Sequence, residues 1–291
     1  MRAIQHIAYV ALAVPDVDAT AAWYTRALGL VDHGHRTGGA VALAGRTFGT
    51  AIVLRPGAAT TLLGVGWALA EGSSQAVASW YSTMGLLVTD VSSLPGPGRG
   101  LQVRDAAGIA VELFEPVEPP ASLTVRPSPG VVDLRKLGHA TLRVPALDAT
   151  VAFYSKTLGF RLSDRLSDRF AWMRCDTDHH GVAAIAAASA PGLHHLAFDV
   201  ADWGEIKRAC DHLHALGIPL EAGPLRHGPG RNIAIYFRDP NGVRIELTCE
   251  MEQLYDDHDR PGEWDGHSTF DVWRDTGAPL SWQDATPAAP D

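Results

Sequence analysis

Two stretches decide the fold: IAYVALAVPDVDATAAWYTRALGL, residues 7–30, and HATLRVPALDATVAFYSKTLGF, residues 139–160. Each reads as a strand, a Val-Pro turn, a helix and a Leu-Gly ending. Asp18-Ala19-Thr20 matches Asp148-Ala149-Thr150, and Trp23-Tyr24 matches Phe153-Tyr154. Asp18 and Asp148 are expected to cap the helices, because a short side-chain oxygen satisfies a free N–H of the first turn. Gly29 and Gly159 are expected just past the helix ends, where the backbone turns left-handed. Working outward, VRDAAGIAVELFE (103–115) matches FRDPNGVRIELTC (237–249), each a strand, a turn and a strand. The strand-then-helix pattern returns once more in each half, at 66–86 and 195–218.

A repeat of this kind makes the chain α+β, built of four βαβββ modules. They are expected to form two curled, cup-like mixed β-sheets with outer helices. Residues 1–120 and 133–251 each hold two modules, and the Pro-rich stretch 116–129 is the natural link. Residues 252–291 stand apart. They hold ten acidic and two basic residues, so the formal charge of −9 leaves only about −1 for the rest. They also carry Trp264, Trp273 and Trp282, too many large rings for a solvated acidic tail. An ordered extension packing on the body is expected, fraying near the last five residues.

The acidic balance offers no basic field for nucleic acid. The stretch GPGRG, 96–100, lacks the Lys-Ser/Thr and strand–helix context of a phosphate loop. Cys175, Cys210 and Cys249 are odd in number and widely spaced, which argues against a disulfide framework and for a reducing, cytoplasmic setting. No signal peptide and no membrane span are expected.

Period-two reading of the second half gives each strand one apolar face and one face with chemistry. His139, Thr141 and Arg143 share a face. So do His195, Ala197 and Asp199, opposite His194; so do Asn232, Ala234 and Tyr236; and so do Arg244, Glu246 and Thr248. A solvated face would carry Lys, Glu, Ser and Thr instead. His139, His195 and Glu246 form a 2-His-1-carboxylate set, which suits Fe(II), Mn(II), or zinc with water. The first half is an internal control. Aligned on the repeat, Tyr9, Gly66 and Glu112 oppose His139, His195 and Glu246, so it is expected to be metal-free and structural. His6, His33 and His35 read as surface or core residues.

Three pieces carry a resemblance to a known family: LGHATLRV (137–144), DHHGVAAI with GLHHLAFDV (178–200), and RHGPGRNIAIYFRDPNGVRIEL (226–247). On these the chain resembles the type I extradiol ring-cleaving dioxygenases of the vicinal oxygen chelate superfamily. The resemblance implies that His139, His195 and Glu246 bind Fe(II), with Mn(II) as the alternative. It implies that His180 lies over the oxygen position and helps with proton transfer. It gives His227 and Tyr236 the substrate hydroxylates. The choice of His195 over His194, and of His180 over His179, comes from the resemblance; strand phase alone does not decide the first. The implied reactants are a catechol and O2, the product a ring-opened hydroxymuconic semialdehyde, and the assembly a homo-oligomer. The tail is similar to the aromatic C-terminal segment of the homoprotocatechuate enzymes, which helps cover the site.

Other readings remain. A glyoxalase-like isomerase or lyase, or an aromatic-compound-binding protein, would use the same scaffold. His179 and His194 read as packing residues, and His212 and His214 as surface residues on a helix. The Gly228-Pro229-Gly230 run reads as a loop that could hinge over the site. Arg226 and Arg231 are candidates to steady an anionic group, or are simply solvated. Phe170, Trp172, Phe198, Ile233 and the tail are expected to shape the pocket.

Overall fold

The computed structural model describes residues 3–32, 38–91, 100–115, 132–255, 261–265, 269–277, 282 and 284–289. The Pro-rich 116–129, His33, His35, residues 96–99 and the last two residues lie outside them. The first module is β1 (Ile4–Val14), α1 (Val17–Leu28), β2 (Val31–Asp32), β3 (Val41–Ala44) and β4 (Thr50–Pro56). The second is β5 (Thr61–Leu69), α2 (Ser74–Thr83), β6 (Thr89–Val91), β7 (Gly100–Arg104) and β8 (Ala110–Phe114). The third is β9 (Leu134–Val144), α3 (Leu147–Ala152), β10 (Arg161–Leu166), β11 (Phe170–Arg174) and β12 (Val182–Ala186). The fourth is β13 (Gly192–Val200), α4 (Trp203–Ala215), β14 (Leu220–Arg226), β15 (Ile233–Arg238) and β16 (Arg244–Cys249). Two short strands follow, β17 (Gly262–Trp264) and β18 (Thr286–Pro287).

Each pair of modules makes one mixed sheet. The first runs β2-β3-β4-β1-β5-β8-β7-β6 and the second β14-β15-β16-β13-β9-β12-β11-β10-β17, with β18 on β13. In both, the first strands of two modules pair antiparallel at the centre, and each pairs parallel with its own module's last strand. The matching turns close alike. Asp105 Oδ1 accepts from Ala107 and Ile109 N–H, and Asp239 Oδ1 from Asn241 and Val243 N–H.

The caps differ from expectation. Asp16, not Asp18, caps α1, its Oδ1 accepting from Ala19 N–H at 2.9 Å. Asp18 sits inside the first turn, where its charge faces the positive helix end. Ala146 begins α3 without a side-chain cap, and Asp148 pairs instead with Arg165 at 2.6 Å. Gly29, at φ 69°, closes α1 as expected. After α3 the chain makes a π-turn over Phe153–Thr157 before Gly159, at φ 81°.

The two sheets pack into one apolar core. Trp67 of the first half meets Phe160 of the second edge-on at 4.8 Å. Buried Tyr24 on α1 donates to Asp239 Oδ2 at 3.0 Å. The tail adds to the second half. Trp264 on β17 donates its Nε1–H to Asp164, Trp273 lies half-exposed against Trp203, and Trp282 meets Tyr236 edge-on. Among the described residues no helix is long and apolar enough to cross a membrane.

Candidate metal centre

Strand register assembles the site. His139 on β9 stands level with Ala197, Ala197 with Glu246, and Glu246 with Tyr236, so one rung of the sheet carries two candidate ligands and the tyrosine. His195 lies one rung along, opposite Thr141. The pairing slips between Leu193 and His195, leaving His194 as the extra residue of a β-bulge. The bulge overturns strict alternation. His194 shares the cavity with His195 instead of facing away, and their Nδ1 atoms lie 2.7 Å apart.

The ligand atoms form a nearly equilateral triangle. His139 Nε2 and His195 Nε2 are each 3.2 Å from Glu246 Oε2 and 3.3 Å from one another. Three adjacent corners of an octahedron with metal–ligand bonds of about 2.1–2.3 Å have this spacing. All three residues are buried. Burial alone would raise the Glu246 carboxyl, but the two histidines hold it well below the usual carboxylate range. Burial pushes His195 down to about 4 despite the opposing pull of Glu246. A neutral ring has the lone pair a metal needs. Donor set, spacing and protonation therefore fit a divalent cation, Fe(II) or Mn(II).

The surroundings fix these groups. Asn232 Nδ2 donates to Glu246 Oε1 at 3.0 Å and to Thr248 Oγ1 at 2.7 Å, a clamp on the carboxylate that strand phase had shown only as a shared face. His194 is wedged between His195, the Arg244 guanidinium at 2.9 Å and the Trp282 ring. Such outer contacts orient ligand rings and set their tautomers.

The triangle looks into a cavity of about 350 Å³. His180, His227 and Tyr236 line it, as expected, together with Phe170 and Trp172, whose rings stack 4.1 Å apart. Phe198 and Ile233 do not; alternation turns them into the core behind the sheet. The His180 ring lies 4.3 Å from that of His139, and burial, then His139 and His179, keep it neutral. Its Nδ1 meets His179 Nδ1 at 3.0 Å. His179 Nε2 lies 3.1 Å from Asp164 Oδ2, off the ideal hydrogen-bond direction, so that contact is electrostatic. His227 Nε2 and the Tyr236 hydroxyl are 2.7 Å apart. Burial lowers the imidazole and, with Glu246, raises the phenol well above its usual value. Phe270 and Trp282 complete the wall, as expected of the tail. Pro229 lines the cavity, while Arg226 and Arg231 pair outside it with Glu250 and Glu252.

The first half shows the degenerate version. Tyr9 donates to Glu112 Oε2 at 2.7 Å, and Gln102, level with Glu112 as Tyr236 is with Glu246, donates to Oε1 at 3.0 Å. By register the counterpart of His195 is Gly64, not Gly66: Tyr9 pairs with Gly66 and Ala11 with Gly64, as His139 pairs with Ala197 and Thr141 with His195. Gly66 instead makes room for the Tyr9 ring, which a Cβ would strike at 2.4 Å.

The fold and the triad define the class: an α+β protein of the vicinal oxygen chelate fold with a 2-His-1-carboxylate centre. Residues 136–247 match the Glyoxalase/Bleomycin resistance protein/Dioxygenase superfamily. Within that class the chain resembles extradiol dioxygenases. It is 26% identical to the biphenyl-2,3-diol 1,2-dioxygenase of Paraburkholderia xenovorans (strain LB400), over 91% of this chain and 96% of that one. It is 33% identical to a metapyrocatechase of Pseudomonas sp. (strain CF600), a match spanning 44% of this chain and only 43% of that protein. Among solved structures, homoprotocatechuate 2,3-dioxygenase from Arthrobacter globiformis superposes with TM-score 0.87 at 26% identity, covering 99% and 94% of the two chains. The Mn(II)-bound glyoxalase from Novosphingobium aromaticivorans superposes with TM-score 0.86 at 26% identity, covering 99% and 96%.

Proposed function

We propose that the protein is an Fe(II)-dependent extradiol dioxygenase, which cleaves the ring carbon bond beside the two hydroxyls of a catechol. The observation that carries this reading is the triangle of His139, His195 and Glu246 opening onto a cavity that also holds His180, His227 and Tyr236. His139, His195 and Glu246 would hold the ion, which would supply the Lewis acidity that lets a diol bind in its ionised form.

The chain's own residues do the rest. Tyr236, held as a phenol, donates a hydrogen bond to one substrate oxygen. His227, neutral and in contact with Tyr236, accepts the proton a hydroxyl gives up. His180, neutral and beside His139, takes and returns a proton on the oxygen side of the cavity. His179 orients it through the Nδ1 contact, and Asp164 favours the proton on the outer nitrogen of His179. Phe170, Trp172, Phe270 and Trp282 wall the ring and exclude water. The first half, without a complete triad, serves as scaffold. A catechol and O2 are the reactants, and the product is a hydroxymuconic semialdehyde or a related dienoate.

The likeness to the Mn(II)-bound glyoxalase favours a second reading, an isomerase on the same scaffold. Such chemistry needs a fourth ligand or a glutamate base. Among the described residues the metal-ligating cluster has three members, and its one carboxylate is a ligand. The test is to mix the Fe(II)-loaded protein with catechols in air, beside the His195→Ala variant. A yellow product from the wild type alone supports ring cleavage. Conversion of a glutathione hemithioacetal without any diol turnover supports the isomerase.

A further inference from the structure

Three arginines are buried in the catalytic half: Arg143, Arg174 and Arg244. Two of them pair with protein groups. Arg174 donates to Ser163 Oγ and the Leu162 carbonyl. Arg244 holds Glu221 and Asp284 and lies over the Trp282 ring at 4.7 Å. Arg143, only 7% exposed, has no such set: among the described residues no carboxylate, carbonyl or aromatic face pairs with its guanidinium. It lines the same cavity as the triad. None of its nitrogens is sealed from the cavity, so the guanidinium is open to an anion that enters there.

Its place in the sheet says what would satisfy it. Arg143 shares a face with His139 and Thr141 on β9, two rungs from His139, or about 13 Å of strand. Its own rung runs across Ile185, Phe170 and Leu166, all of which line the cavity. His139 and Glu246 stand at one level of the cavity, His195 and Thr141 at the next, and Arg143 at the far rung beside apolar Ile185, Phe170 and Leu166, with the exposed Arg169 also on the lining. A ring held by its diol at the triad would point a substituent toward Arg143.

We infer that Arg143 is a specificity-determining residue, which pairs with a carboxylate carried on the side chain of the catechol substrate; this rests on the ring-cleaving reading above. A guanidinium grips a carboxylate through two parallel N–H···O bonds. A neutral substituent cannot form that pair, so the site discriminates against it.

The test compares 3,4-dihydroxyphenylacetate and its propanoate homologue with their neutral amides, in the Fe(II)-loaded wild type, Arg143→Met and Arg143→Lys. The wild type should prefer an acid over its amide at least tenfold in kcat/KM. Arg143→Met should erase that preference, and Arg143→Lys should keep part of it. Calorimetry with phenylacetate, which has no diol, should show binding that is lost in Arg143→Met. Cleavage of acid and amide alike by the wild type overturns the inference, as does a preference unchanged in Arg143→Met, and either result leaves ring cleavage standing. Arg143-dependent phenylacetate binding with no diol cleaved supports the inference and removes the ring-cleaving reading. Should Arg143→Met fail to fold, Arg143→Gln and the wild-type preference decide.

Discussion

Glu246 is a carboxylate buried among imidazoles, and its neighbours explain why it stays charged. His139 and His195 face one oxygen, and Asn232 donates to the other. Replacing Asn232 with Ala leaves that second oxygen without its donor. We expect metal affinity to fall about 10–100-fold, as for outer contacts of other metal centres, measured by competition with a chelator. His195→Ala removes a ligand outright and should leave the protein without bound iron by elemental analysis. The neutral rings give the metal-free protein a pH dependence. His195 titrates at about 4 when folded and near 6.5 when unfolded, and His180, His194 and His227 are lowered in the same direction. Between those values the unfolded chain binds more protons, so stability falls as pH drops through that window. Urea midpoints of the metal-free protein should therefore decline steadily from pH 7 to pH 5; a flat profile would mean that the rings bind protons in the folded protein as they do in the unfolded chain.

At the level of elements, the central antiparallel strands are what bring ligands distant in sequence to one place. The same pairing in the first half closes on itself through Tyr9, Glu112 and Gln102. Tyr9→Phe leaves a buried Glu112 oxygen without its donor and should cost about 1–3 kcal/mol in a denaturant titration, with metal content unchanged. The strands and their polar faces were legible in the sequence because a period of two survives in GHATLRV and RNIAIYF. The bulge at His194 was not legible. Nothing in HHLAF marks an inserted residue, since either histidine reads as the cavity-facing one until the partner strand is known. The caps failed for a related reason: Asp16 and Asp18 both lie within one turn of the helix start, and only backbone geometry separates them.

For the whole molecule, the halves share one core and a buried Tyr24–Asp239 hydrogen bond. They should unfold in a single calorimetric transition, and Tyr24→Phe should lower its midpoint without dividing it. Two transitions would show that the halves fold separately. The tail belongs to this scale. Trp264 is tied to Asp164 and Trp282 reaches Tyr236, contacts made across many intervening residues that no short pattern in the sequence encodes. Arg143 was visible as a member of the polar face, but that none of the described residues pairs with it emerges only once the neighbouring strands are in place.

Ring cleavage at this triad places both atoms of O2 in the product of a catechol. The direct measurement uses the Fe(II)-loaded protein, 3,4-dihydroxyphenylacetate or catechol, and isotopically labelled dioxygen, with the ring-opened product analysed by mass spectrometry. One O2 should be consumed per diol, with two labelled oxygens in the product before exchange with water, and neither in His195→Ala. Diol consumed without labelled oxygen, or oxidised to a quinone with the ring intact, would contradict ring cleavage at this triad.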